Sequence, residues 1–512
     1  MHGKTDDPEG SALASPIFPN AVRPSWGAAR LASPLLAPLL APLLAPLALA
    51  GALAGCAWLT PAATSSGILL PGRLAVVDAA APVAWPAPDW WRGFASLELD
   101  ALMAGAIAAN NDLAAAAARI RQADAQLRIS GAALLPTMDL TTRALRQQSG
   151  SASTAGIAGL GRTTRIRVSS TNALALTASY EIDFWGRNRA QVEAAQQIAF
   201  ASRFDAGTVR ITTEASVANT YFSLLAAQEQ VAIQQNNLDL ATRVMGVIRQ
   251  RVEVGTGTGL DLAQQETVVA QQRAQLPPLV QQVEQNRNSL GTLVARPPEM
   301  LEVAGGGFTR LTVPPVTPGM PAELLARRPD VLAAEATLAA ANADIVTARG
   351  QLLPAITLTG SGGFQSLVFE NLLRPGSVVF NLAAGLTQPI FRGGALRGQV
   401  QLNEARAEEL LATYRGAILA ALVDAENALV ALRQTTEQER LQAAAVQAAE
   451  RSYAIGEAQL RAGTIDLITL LNVQQALFGA RNTLVQARLA RLQSAVGLFR
   501  ALGGGWGTPI SR

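Results

Sequence analysis

The sequence predicts an internally duplicated, mainly α-helical chain that also carries four strands of a membrane β-barrel. Three observations predict this fold class: a repeated Ala-rich segment, two long reaches without proline, and four segments in which apolar and polar residues alternate. The repeated segment runs from Asp112 to a Leu-Leu-Pro that ends at Pro136, and it returns 218 residues later from Asp330 to Pro354. Because self-similarity on this scale indicates a repeat architecture, each element is expected twice.

The reaches without proline predict long helices. No proline lies between Pro136 and Pro277, or between Pro389 and Pro509, and both reaches are rich in Ala, Gln, Glu, Arg and Leu, which favour helix. Residues 188–253 alone would form a helix of roughly 100 Å at a rise of 1.5 Å per residue. Apolar residues recur there at mixed spacings of three and four, which suits coiled-coil-like packing of rods that bridge a distance.

The duplication continues beyond the Ala-rich segments. Gly255-Thr256 follows the long helical reach of the first half, and Gly463-Thr464 follows that of the second half at an offset of 208. Each half therefore has the order helix, Leu-Leu-Pro, irregular stretch, glycine turn, long helix, glycine-containing turn and returning helix. The predicted boundaries are a first repeat at 93–296, a Pro- and Gly-rich connector at 297–321, a second repeat at 322–503 and a tail at 504–512.

The alternating segments predict strands near 136–146, 172–184, 354–364 and 378–390. Strands of about ten residues with one apolar and one polar face are typical of outer-membrane barrels, in which the apolar face contacts lipid. A soluble antiparallel sheet with one hydrated face would give the same alternation. The residues predicted to face lipid are Leu174, Leu176, Tyr180, Phe380, Leu382 and Leu386.

Four strands are too few to close a barrel, since the smallest membrane barrels have about eight. Open sheet edges in lipid would leave backbone groups without hydrogen bonds. Several copies of the chain are therefore expected to share one barrel, with the duplicated helix–hairpin–helix unit arranged around a common axis.

The first 55 residues are predicted to be a signal peptide. Residues 31–59 carry no charge, and Arg23 and Arg30 supply the positive charge that precedes such a segment. The segment is long enough to span a bilayer, but its prolines recur at every fourth position, which argues against a permanent transmembrane helix. The stretch before Val22 is long and acidic for a signal peptide, so the natural start is expected downstream of Met1.

The segment ends in Leu53-Ala54-Gly55-Cys56, which resembles the bacterial lipobox. The motif predicts a diacylglycerol and an N-acyl lipid on Cys56, which would anchor the linker at 56–92 to a membrane. A secretory protein without lipid and a buried structural cysteine are the alternatives. Ala57, rather than an aspartate, fits onward sorting to the outer membrane.

The composition argues against catalysis. His2 and Cys56 are the only residues of their kinds, so a chain that begins at Cys56 has no imidazole and one thiol. Ser-His-Asp triads, Cys-His pairs and most zinc sites are thereby excluded. We expect no catalytic residue, no metal site and no cofactor besides the lipid. The net charge is +3 and the basic residues are scattered, which predicts no nucleic-acid partner.

The chain resembles the TolC family of outer-membrane efflux proteins, in its lipoprotein (NodT-like) subgroup. The resemblance covers nearly everything from 90 to 503. The motifs that carry it are LAGC at 53–56, WWRGFASLELD at 90–100, SYEIDFWGRNR at 179–189, RRPDV at 327–331, QLLPAITLTGSGG at 351–363, QPIFRGGALRG at 388–398 and AGTIDLITLLNVQQALFGARNTL at 462–484. It implies a homotrimer with a twelve-stranded barrel in the outer membrane of a Gram-negative bacterium, above an α-helical coiled-coil tunnel that crosses the periplasm. The implied function is an efflux duct that passively conducts substrates from a periplasmic adaptor and an inner-membrane RND-type pump.

The resemblance also implies a gate at the periplasmic end of the tunnel. Matching the last motif to the family places Ile468 in an apolar ring and Asn472 where many relatives have an acidic residue. Ordinary helix packing is the alternative for both residues. Two alternative functions remain. A periplasmic adaptor lipoprotein would show one hairpin flanked by compact β modules, and a structural coiled-coil lipoprotein would be excluded if membrane fractionation places the protein in the outer membrane. The sequence does not identify the exported substrate.

Overall fold

The computed structural model describes residues 66–71, 85–150, 166–316, 321–504 and 506. The predicted signal peptide and Cys56 lie outside these residues. The helices and strands are α1 (Leu97–Ala109), α2 (Asn111–Gly131), β1 (Thr137–Gly150), β2 (Ile166–Ile182), α3 (Arg187–Glu253), α4 (Gly259–Ala274), α5 (Leu276–Leu293), α6 (Pro321–Arg327), α7 (Pro329–Gly350), β3 (Ala355–Ser366), β4 (Val378–Thr387), α8 (Ala395–Arg461) and α9 (Leu467–Ala501).

Two helices of 67 residues dominate the chain, α3 in the first half and α8 in the second. Each begins directly after a glycine in the left-handed region, Gly186 at φ 77° and Gly394 at φ 84°. A residue with a side chain would be strained at either position, so the glycines set where the helices start. The predicted duplication and long helices are confirmed.

The returning helices of the two halves differ. α9 is continuous, whereas the corresponding helix of the first half is divided at Gln275 into α4 and α5. Pro277 and Pro278 cause the division, because proline is accepted in the first turn of α5 but cannot continue α4.

The four strands form one antiparallel sheet in the order β1-β2-β3-β4. The two halves of the chain meet at the central pair, where Leu176 lies opposite Gly362 and Tyr180 lies opposite Leu358. β1 and β2 extend further than the alternating pattern predicts, and their pairing continues to Gly150 and Ile166. The pattern fails there because the added residues of β1, such as Gln147 and Gln148, are polar on both faces.

An aromatic core packs the residues before α1 against the helices α3 and α9. Trp90 stacks on Phe499 of α9 with 4.9 Å between ring centroids, and Phe94 contacts Phe222 of α3 at 5.0 Å. The backbone N–H of Thr312 donates to the carbonyl of Phe94 at 3.2 Å, so the connector is held at the same place. A second apolar cluster lies beside the glycine turns and joins α3, α8 and α9.

α7 is long and apolar enough to cross a membrane by composition alone. However, it packs between α3 and α8, and half of its most apolar window is buried there. It is therefore a core helix of the duplicated bundle.

Candidate channel-forming surfaces

One face of the sheet is apolar over five successive rows of paired residues. Residues directly opposite each other in an antiparallel sheet project to the same side, so the register defines each row. From the helices outward, the rows are Ile182–Ile356–Leu386, Tyr180–Leu358–Ala384, Met138–Ala178–Gly360–Leu382, Leu140–Leu176–Gly362–Phe380 and Thr142–Leu174–Phe364–Val378. All six residues that the alternation assigned to lipid lie on this face.

The apolar rows have the dimensions of a membrane band. They span eight residues of strand, which is roughly 27 Å at 3.4 Å per residue. A strand tilt of roughly 40° reduces this to about 20 Å along the membrane normal, close to the apolar band of about 25 Å in membrane barrels. In the single chain Phe380 is 88% exposed and Leu382 is 83% exposed, so the face has no cover of its own.

The opposite face is mostly polar, and no strand among the described residues pairs with the outer edges of the sheet. One of its rows is Asp139–Thr177–Ser361–Asn381, and the Thr177 hydroxyl donates to the Asp139 carbonyl at 3.2 Å. β1 and β4 are the terminal strands, and every residue of β4 is exposed. Such edges are places where another strand adds to a sheet.

A carboxylate fixes the turn from β2 into α3. Asp183 accepts hydrogen bonds from the backbone N–H groups of Asn188 at 3.0 Å and Arg189 at 2.9 Å. Burial alone would raise the pKa of Asp183, but these two N–H groups and the Arg189 side chain lower it below its ordinary value. The carboxylate therefore stays charged and caps the first turn of the helix.

Two further contacts attach the sheet to the helices. Arg187 Nη2 lies 2.6 Å from Glu181 Oε1 across the same turn. Trp185 Nε1 donates at 2.8 Å to the carbonyl of Pro354, which immediately precedes β3 in the second half. In the sequence, Glu181, Trp185 and Arg187 stood out only as part of the motif at 179–189 that resembles the family. An acidic residue shortly before a helix start was the one local signal of a cap.

The two glycine turns at the far end of the long helices close in the same way. Thr256 N–H donates to the Arg251 carbonyl at 2.8 Å, and Thr464 N–H donates to the Gln459 carbonyl at 3.0 Å. These hydrogen bonds over five residues satisfy the last carbonyls of α3 and α8, as in Schellman-type helix ends.

In the two helices that leave these turns, the threonine and the aspartate of the N-terminal cap stand in opposite order. At α4, Thr258 is the N-cap with Asp261 three residues later, and both reciprocal hydrogen bonds are present. At α9, Asp466 is the N-cap and accepts from the Thr469 N–H at 2.8 Å. The pKa of Asp466 lies below its ordinary value because the Thr469 hydroxyl and N–H donate to it.

The two candidate gate residues lie on the first turns of α9. Ile468 and Asn472 are one helical turn apart and both are exposed, Ile468 at 57%. The neighbouring Leu467 and Leu470 are buried in the cluster beside the turn. The face that carries Ile468 and Asn472 is therefore separate from the face that packs within the chain.

A buried arginine from the RRPDV motif joins three helices. Arg328 Nη2 lies 2.6 Å from Asp330 and 3.2 Å from Asp424 of α8, and its Nη1 donates at 3.2 Å to the carbonyl of Ala501 in α9. Desolvation would lower the pKa of Arg328, but Asp330 and Asp424 raise it overall. Arg328 and Asp424 are 96 positions apart in the sequence, so spacing gave no sign of their contact.

Within the described ranges, no group of three or more His, Cys, Asp or Glu side chains is arranged to hold a metal ion. The surfaces above are instead those of a membrane sheet, a long helical body and a paired set of turns.

The model of the outer membrane efflux protein family matches residues 102–296 and 320–504, one range for each half. This chain belongs to that family. The chain is an outer-membrane efflux channel that extends into the periplasm, and its family consists of transporters rather than enzymes. The predicted fold, function and location are thereby confirmed, and the adaptor and coiled-coil scaffold alternatives are set aside.

Similar proteins support the assignment. The pyoverdine export outer membrane protein OpmQ of Pseudomonas aeruginosa is 40% identical over 447 residues, which cover 87% of this chain and 94% of that protein. OprJ of the same species is 31% identical over 420 residues, which cover 82% of this chain and 86% of OprJ.

Solved structures of outer-membrane channels support the same family assignment. The outer-membrane channel OprN superposes with a TM-score of 0.81 at 25% identity and covers 88% of this chain and 99% of its own. The open state of the MtrE channel of Neisseria gonorrhoeae gives 0.78 at 28% identity, with 87% of this chain and 98% of MtrE covered.

Proposed function

We propose that three copies of this chain form one continuous duct, with a shared barrel above and a helical tunnel below. The observation that carries the proposal is the register, which gathers the apolar residues on one face while leaving β1 and β4 unpaired at the edges. Three copies of a four-stranded sheet supply twelve strands, enough to close a barrel in which β4 of one copy pairs with β1 of the next.

An apolar stripe on α8 supports association below the barrel as well. Its exposed side chains follow one another at steps of 4, 7, 11 and 14 residues, all of which return to the same face of a helix, as in a helix that packs on another helix. They are Leu419, Val423, Val430, Leu441 and Ile455.

Mass measurement tests the assembly. Purified protein in detergent should have three times the 53.4 kDa chain mass, less that of any cleaved signal peptide. A monomer or dimer that is stable in lipid would contradict a shared barrel. Fractionation of the membranes should place the assembly in the outer membrane.

The lipid anchor, the gate and the partners belong to the same proposal. Cys56 would carry the diacylglycerol and N-acyl chains, and Ile468 and Asn472 would ring the closed end of the tunnel. A periplasmic adaptor and an inner-membrane RND-type pump would deliver substrate to that end. Co-purification of the trimer with a periplasmic adaptor of an RND-type system tests this arrangement, with turn substitutions at Thr256 and Thr464 expected to reduce capture.

The comparisons favour one substrate. The relatives named for pyoverdine export are 40% and 41% identical, whereas a Pseudomonas putida relative named for toluene efflux is 30% identical. We therefore propose that this channel serves export of pyoverdine or a similar secreted product. Expression in a Pseudomonas aeruginosa strain that lacks OpmQ should restore pyoverdine in the medium. Restoration of toluene tolerance alone, in a strain that lacks TtgC, would contradict this choice.

A further inference from the structure

Four charged side chains join the two halves of the chain about two-thirds of the way along the long helices, and we call them the ionic clamp. Arg488 of α9 lies 3.4 Å from Glu229 of α3 and 3.5 Å from Glu439 of α8, and Arg491 lies 2.8 Å from Glu439. Each side chain is between 20% and 33% exposed, so salt screens these pairs less than pairs at an open surface. At 1.5 Å per residue, the clamp lies roughly 39 Å from the glycine turns.

Between the clamp and the turns, two amide side chains are buried without partners. Asn237 of α3 is 0% exposed and Gln474 of α9 is 1% exposed. Neither the oxygen nor the nitrogen of either amide has a hydrogen-bond partner among the described residues. Because these atoms are enclosed within a single chain, a second copy of the chain does not reach them. A buried amide without partners destabilises the packing around it.

The two amides interrupt an otherwise apolar contact between the halves. Leu240 lies one turn from Asn237 on α3, and Leu470 and Leu477 lie one turn to either side of Gln474 on α9, all in one cluster. In the described part of the chain, the one side-chain hydrogen bond that joins the halves below the clamp runs from Arg251 to the Leu460 carbonyl, and it is long at 3.4 Å. The contact therefore depends on apolar packing that the amides weaken.

We propose that Asn237 and Gln474 form a destabilised seam that allows α9 to separate from α3 below the ionic clamp when the channel opens. The inference rests on the proposed closure of the tunnel near the glycine turns. Gln474 lies two positions beyond Asn472 on the same helix, so movement of α9 at the seam also moves the ring residues. Opening admits water to both amides and removes their desolvation penalty, which favours the open state relative to an apolar seam.

The test replaces the buried amides and, as a matched control, the exposed amides beside them. The test variant is Asn237→Leu with Gln474→Met, and the control is Asn236→Leu with Gln475→Met, at adjacent exposed positions. Full-length trimers are compared by single-channel recording in planar bilayers and by thermal unfolding. We expect the buried pair to lower the open-to-closed ratio by about tenfold or more and to raise Tm, because packed apolar groups replace unsatisfied ones. The exposed pair should change neither quantity.

The possible outcomes distinguish failure of the proposed seam from failure of the proposed duct. An unchanged or higher open-to-closed ratio in the buried variant, with normal wild-type currents, would overturn the seam alone. A lower Tm would also overturn it, because the amides would then be satisfied by enclosed water. Absence of currents in every trimer would refute the duct, and the seam with it.

Discussion

An arginine at Leu382 is the sharpest test of the barrel surface. Leu382 lies in the third of the five apolar rows, opposite Gly360, and is therefore at the middle of the proposed membrane band. Asn381 is its neighbour on the polar face, opposite Ser361. Leu386 shares the face of Leu382 but lies two rows closer to the helices.

The register gives a different expected cost for each site. A midplane arginine that faces lipid destabilises a membrane barrel by about 2–4 kcal/mol per chain, so Leu382→Arg would remove roughly 6–12 kcal/mol from a trimer. Leu386 is roughly 13 Å further along the strand, or about 10 Å along the membrane normal, where the cost falls to about 0–1 kcal/mol per chain. Asn381→Arg would project into the hydrated lumen and should cost little.

The assay is the fraction of trimer that resists unfolding in lipid bilayers across a urea series, with outer-membrane yield as a second readout. The expected order of destabilisation is Leu382→Arg, then Leu386→Arg, then Asn381→Arg. Equal effects at Leu382 and Asn381 would refute the assignment of faces, because both faces would then have the same surroundings. A larger effect at Leu386 than at Leu382 would refute the position of the band.

Four further predictions follow from single sites. Ile468→Ala should raise the low single-channel conductance of the closed trimer, and unchanged conductance would return Ile468 to helix packing. Asn472→Asp should make conductance rise with pH, because three close carboxylates raise the pKa of at least one of them and repel once ionised; a flat pH profile would contradict the ring. Cys56→Ser should lose palmitate labelling and the lipid mass, whereas an unmodified Cys56 in a mature chain would contradict the lipobox. Arg328→Met should lower the free energy of unfolding by about 2 kcal/mol in urea titration, because the buried carbonyl of Ala501 loses its charged donor; Arg440→Met, at an exposed pair, is the control and should have little effect.

The features that could be predicted from the sequence are the helix ends, the turns and the two faces of the sheet, which depend on residue periodicity and on the backbone chemistry of proline and glycine. Proline marked where helices cannot continue, glycine marked the turns, and alternation separated the two faces of the sheet. All of these are local signals, so one sequence sufficed. The end of β1 was missed because alternation reports burial on one face, and Gln147 and Gln148 are polar on both faces.

Contacts between distant segments left no comparable signal. Nothing near Arg328 in the sequence indicates that Asp424 completes its ion pairs, and nothing near Trp185 indicates that it donates to Pro354. Asn237 and Gln474 were missed for a related reason, since a lone amide in a polar-rich helix is usually solvated. Their burial depends on how α9 packs on α3, which the spacing along either helix does not specify.

The two repeat offsets show which parts of the duplicated unit had to stay equal. The offset is 218 at the Leu-Leu-Pro segments and 208 from Gly186 and Gly394 onward. The strand hairpin of the first half is 13 residues longer than that of the second, and the segment that leads into its long helix is 3 residues shorter. α3 and α8 both have 67 residues and run from that glycine to the turn at the far end, so an insertion in one alone would place the two turns at different depths. At 1.5 Å per residue, even a three-residue difference would offset them by roughly 4.5 Å and would rotate the helix faces that follow. The hairpins end on the outer side of the membrane, where extra length disturbs neither the apolar rows nor the helices. Equal helices and unequal hairpins are therefore what the proposed duct requires, with one membrane surface and one closing level shared by both halves.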